Sequence, residues 1–98
     1  MSNKGIGMAQ QRRVVSFSGD VQGVGFRAMA MRAAGGFKVT GYVRNVAGGR
    51  VEVLAEGEGQ EIDAFLEAVR ERMGMYIADE ATTTHPATGQ FHSFNIRF

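Results

Sequence analysis

The chain has 98 residues, 44% hydrophobic and 21% charged, with a formal net charge of +1 and no cysteine. That length suits one domain with a modest core, and the missing thiols exclude disulfides, thiolate chemistry and cysteine-based zinc sites. The near-neutral balance disfavours a protein that lives on nucleic acid, and no apolar run approaches the roughly 18 residues that span a bilayer, so neither a nucleic-acid nor a membrane partner is expected.

The opening "MSNKGIGMAQQRR" lacks the apolar stretch of a secretory signal. It reads as a polar, flexible tail over residues 1–11, ahead of one domain over 12–98. A reducing cytoplasm is the compatible location.

"RVVSFS" from Arg13 to Ser18 is β-branched and aromatic, and predicts a strand with Val15 and Phe17 on one face. From Phe26 the period changes. Phe26, Met29, Ala30, Ala33 and Ala34 follow helical spacing, and Gly35-Gly36 stops the pattern. "VTGYVRN" predicts a second strand, with Tyr42 and Val43 on opposite faces, and "VAGGR" a tight reversal. "VEVLAEG" alternates cleanly, with Val51, Val53 and Ala55 inward and Glu52 and Glu56 outward. Gly57 to Gly59 breaks it. Ile62, Phe65, Leu66, Val69 and Met73 then mark a second amphipathic helix with an acidic outer face, stopped at Gly74. A fourth strand is expected between Met75 and Thr84, interrupted before Pro86. "FHSFNIRF" is the last strand, with Phe94 and Ile96 facing the core. The order β-α-β-β-α-β predicts an α+β, ferredoxin-like sandwich: a mainly antiparallel sheet of four to five strands with both helices on one face.

The densest local signal is "GDVQGVGFR", from Gly19 to Arg27, between a strand end and a helix start. The first N–H groups of a helix have no intrahelical acceptor, and the helix dipole places partial positive charge there. Glycines ahead of such a terminus let several N–H groups converge on an anion, and Arg27 adds a planar guanidinium that grips two phosphate oxygens. The plain alternative is a glycine-rich connection with Arg27 in solvent. No lysine followed by Ser or Thr is present, so a P-loop fails. "GVGFRA" fits G-x-G-x-x-A, but the next strand ends in Arg44 and Asn45, where a dinucleotide fold needs an acid. Asn45, an amide at a strand end, is at home in a turn; packed beside the helix start, it would face the same anion. Asp20 is expected to point to solvent.

"GDVQGVGFR" resembles the phosphate-binding motif of the acylphosphatase family, "TGYVRNVAGGRVEVLAEG" its second motif, and "TGQFHSFNIRF" its terminal strand. The resemblance covers Arg13 to Phe98 and implies the ferredoxin-like sandwich together with hydrolysis of acyl phosphates to a carboxylate and inorganic phosphate. It implies that Arg27 binds the phosphoryl oxygens, that the backbone of Val21, Gln22, Gly23, Val24 and Gly25 completes the cradle, and that Asn45 orients the attacking water. It implies a small-molecule acyl phosphate as partner, inorganic phosphate as product and inhibitor, and no metal or organic cofactor. A monomer is expected.

Competing classes have less behind them. A metal site at His85 and His92 would need further ligands with supporting geometry, and the methionines read as core gap-fillers. An RNA-binding module of the same strand order needs aromatics on its third strand, where this chain has "RVEVLAEG". A catalytically silent phosphate-binding or regulatory module of the same family is the standing alternative.

Overall fold

The computed structural model describes residues 9–98. Residues 1–8 of the expected tail lie outside that range, and Gln10 and Gln11, assigned to the tail from sequence, open the first strand. The chain runs β1 (Gln10–Gly19), α1 (Phe26–Ala34), β2 (Thr40–Val46), β3 (Arg50–Glu58), α2 (Gly59–Met73), a 3-10 turn (Gly74–Tyr76), β4 (Ile77–Pro86) and β5 (Phe94–Arg97). The five strands form one sheet in the order β4-β1-β3-β2-β5. All pairs are antiparallel except β2 with β5, which run parallel.

Alternation decides which residues enter the core. Val15 and Phe17 of β1, Val43 of β2 and Val51, Val53 and Ala55 of β3 are fully buried on one face. The helical stripes cover them: Phe26, Met29 and Ala30 from α1, and Ile62, Phe65, Leu66 and Val69 from α2. Each large apolar side chain taken out of water here contributes about 1.5–3 kcal/mol. Phe94 and Ile96 pack against the same cluster, as their spacing predicts. No described helix is long and apolar enough to cross a membrane.

Several strand ends differ from expectation; the last strand, expected to open at Phe91, starts only at Phe94. β3 runs through Gly57 to Glu58 instead of breaking there. A Cβ on Gly57 would lie 2.6 Å from the Lys38 carbonyl oxygen, so this glycine reflects close backbone approach and not a chain break. β4 starts at Ile77 and continues through Pro86, paired with Gln11. It is an edge strand, so a residue lacking an N–H is tolerated on it.

Glu56 was expected to face outward and does point away from the helices, yet it is only 4% exposed. The connection from β4 to β5 folds over it. Its carboxylate accepts hydrogen bonds from Arg12 Nε at 2.7 Å, from Thr88 N and Oγ1 at 3.0 and 2.9 Å, and from Gly89 N at 3.0 Å. Burial by itself pushes this carboxyl up, but the donors around it outweigh that and hold it below the usual carboxylate range. A depressed folded pKa means stabilisation that is present above the unfolded value, about 4.3, and lost as pH falls through the folded one. Glu56→Gln is therefore expected to lower unfolding free energy by about 1–3 kcal/mol at pH 7. Urea titrations at pH 7 and pH 3 check this: the gap between variant and parent narrows in acid, and a gap of constant size would show that the charge is not what matters.

Candidate active site

The loop between β1 and α1 is anchored at both ends by apolar side chains. Val21 is fully buried, and Phe26 is 2% exposed with its ring 5.2 Å from that of Phe17. Asp20 donates its N–H to the Tyr76 carbonyl at 2.9 Å and is exposed. Gly23 and Gly25 both take φ of 79°, left-handed backbone that disfavours any side chain, although a Cβ at either would meet no protein atom within 4 Å. The space above both glycines is open.

Gly25 is the N-cap of α1 and brings no side-chain cap. The first hydrogen bond of the helix is from Met29 N–H to the Gly25 carbonyl, at 3.0 Å. The N–H groups ahead of it have no intrahelical acceptor. The first turn carries no acidic residue and instead carries Arg27. A cation there opposes the dipole by about 0.3–1 kcal/mol, an arrangement that favours an incoming anion over the empty site.

Asn45 comes from another element. It lies two residues beyond Val43 on β2, so it shares the helix-facing side of the sheet, opposite Val51 of β3. The parallel register sets Val43 against Ile96 and Arg44 against Arg97. Asn45 and Phe98 are the next residues along the two strands.

These parts enclose a cleft of about 170 Å³, lined by Val21, Gly23, Gly25, Arg27 and Asn45 and walled by Ile96 and Phe98. Five of the seven residues singled out from sequence thus line one space. The other two do not. Val24 packs against the core. The Gln22 side chain leaves the loop and donates from Nε2 to the Val46 carbonyl at 3.0 Å and the Arg50 carbonyl at 2.8 Å. These bonds fasten the glycine loop to the hairpin that carries Asn45. Phe98 was not foreseen as a site residue. The Arg27 guanidinium carbon sits 4.9 Å from the centroid of the Phe98 ring, within range of a cation–π contact. Its signal was in the sequence, since Phe94, Ile96 and Phe98 share one face of an alternating strand.

Among the described residues no group of three or more His, Cys, Asp or Glu comes together as a metal site. What the cleft offers is a guanidinium, glycine backbone at a helix N-terminus, and one uncharged amide. Such a set binds a tetrahedral oxyanion and aligns a water.

The chain as a whole matches known proteins. The acylphosphatase family model matches residues 13–96. The chain is 38% identical over 85 residues to an acylphosphatase of Syntrophus aciditrophicus, covering 86% of this chain and 88% of that one. It is 39% identical over 92 residues to an acylphosphatase of Anaeromyxobacter, covering 92% and 99%. The crystal structure of acylphosphatase from Bacillus subtilis superposes with a TM-score of 0.78 at 34% identity, over 91% of this chain and 99% of that one.

Proposed function

This chain belongs to the acylphosphatase family and is an acylphosphatase, and from that premise we propose how its own residues hydrolyse an acyl phosphate. The phosphoryl group sits on the loop from Val21 to Gly25, its oxygens held by converging backbone N–H groups and by the Arg27 fork. The Asn45 amide holds a water in line with the bond to the leaving carboxylate. The water oxygen forms the new bond to phosphorus, and the phosphorus–oxygen bond to the acyl group breaks with its electron pair. The departing carboxylate needs no proton. The proton shed by the water passes to a phosphoryl oxygen, so an acyl phosphate dianion and water become a carboxylate and dihydrogen phosphate. The remaining demands are alignment and charge stabilisation, and these side chains and amides meet both without a general base.

The observation that carries this reading is the convergence of Arg27, Gly23, Gly25 and Asn45 on one cleft from elements separated in sequence. We extend it to a monomer working in the cytoplasm, in keeping with a chain without cysteine. The test is phosphate release from acetyl phosphate with a chelator present. Steady turnover is expected, with inorganic phosphate inhibiting competitively. Phosphate binding without turnover would instead identify a silent phosphate-binding module.

A further inference from the structure

The sheet has a second face, turned away from both helices. On β5, Phe94 and Ile96 pack against the core, so Asn95 and Arg97 project onto this other face. Tyr42 of β2, paired in register with Asn95, lies there too and is 8% exposed. The connection from β4 to β5 folds over it and sets the Phe91 ring edge-on to Tyr42, with centroids 6.0 Å apart. Tyr42, Phe91, Ser93, Asn95 and Arg97 line one groove.

Charge in this groove is unbalanced. Three arginines reach the face. Arg12 is bound to Glu56 at 2.7 Å and Arg44 to Glu52 at 2.6 Å. Arg97 stands beside Arg44 in the parallel register, and neighbouring like charges repel. Yet among the described residues Arg97 pairs with no acid. A ring holds it instead. Its guanidinium carbon lies 4.0 Å from the centroid of Tyr42, a side chain fixed by its burial. Stacking covers one flat face of the guanidinium and leaves its in-plane N–H donors open.

We propose that this groove is a second anion site, separate from the catalytic cleft, whose ligand is a carboxylate carried on an apolar body. The carboxylate sets both oxygens on the Arg97 fork, and the body lies against the half-buried Phe91 ring. One uncompensated cation suits one negative charge. A phosphate dianion is served less well, because Glu56 and Glu52 already neutralise the other two arginines of this face. Arg97 stands between Ile96 and Phe98, which wall the cleft, so one short strand serves both faces of the sheet. The assignment does not depend on the reaction proposed for the cleft.

The test is titration of the isotope-labelled protein with sodium benzoate at fixed ionic strength, with and without inorganic phosphate, followed by backbone amide NMR shifts. Saturable shifts are expected from Gln90 to Arg97, with a dissociation constant that phosphate leaves unchanged. Benzamide has the same shape without the charge and should bind about 10-fold more weakly or worse. Arg97→Gln should weaken benzoate binding about 10-fold, the scale of one charge-assisted contact. Arg97→Lys keeps the charge but not the fork and should recover only part of that loss. The spectrum of each variant also reports whether it is folded. Shifts that track salt without saturating would mark an adventitious ion only. Shifts confined to Val21–Arg27 and abolished by phosphate would place benzoate in the catalytic cleft. Either result, or no shift at all, overturns the site, as does undiminished binding of benzamide or of benzoate to Arg97→Gln. Phosphate alone shifting Gln90 to Arg97 as tightly as benzoate would overturn the assignment of a carboxylate.

Discussion

Arg27→Ala is expected to lower kcat/KM for acyl phosphates by about 10³-fold or more, the scale on which an arginine stabilises a phosphoryl-transfer transition state. Phosphate inhibition should weaken at the same time, because ground state and transition state share the guanidinium. Arg27→Lys separates charge from geometry. A lysine keeps the charge but not the planar fork, so it should recover only part of the loss. The fold provides a control. Arg27 stands in a helical first turn that holds no acid, where its charge opposes the dipole. Its removal should leave thermal stability unchanged or raise it slightly. Steady-state kinetics beside thermal unfolding would check both halves. A destabilised variant would mean that Arg27 holds the fold together, and near-parental kcat/KM would remove it from the site.

Asn45→Ala should behave differently. It is expected to reduce kcat about 10²–10³-fold, the scale of one lost positioning or polar contact at a reacting centre, with the phosphate inhibition constant close to the parent's. The asymmetry follows from where the two residues sit. Arg27 rides on the loop and helix proposed to hold the anion, and Asn45 on a strand that meets the cleft from the other side. A parallel rise in the inhibition constant would make Asn45 a second phosphate ligand. Full activity would show that the water is placed by something else.

Much of this arrangement was legible in the sequence because local and global signals agreed. The 3.6-residue spacing from Phe26 and from Ile62 gave both helices, and the alternation of Val51, Val53 and Ala55 gave the buried face of the central strand. Two features escaped for physical reasons. Glu56 follows that alternation and is an acid, so it reads as solvated; its burial depends on a connection 32 residues further along the chain, which no local pattern can report. The Gln22 side chain likewise has no local signal for its role, since its acceptors are backbone carbonyls, and carbonyls carry no sequence signature. The end of β4 was misplaced because a proline was weighed as a stop, without knowing that the strand lies at the sheet edge.

The two hydrogen bonds from Gln22 have a consequence for the enzyme on heating. They are exposed, and an ordinary hydrogen bond contributes about 0.5–1.5 kcal/mol net. A whole domain of this size is held by about 5–15 kcal/mol. The join between the glycine loop and the Asn45 hairpin is thus weaker than the sheet and helices it connects, and it is expected to open as a local event while the core stays folded. Once it opens, the glycine loop and the Asn45 amide no longer share a fixed geometry. Catalytic competence is therefore expected to be lost at a lower temperature than the fold, an outcome that activity read beside thermal unfolding would check.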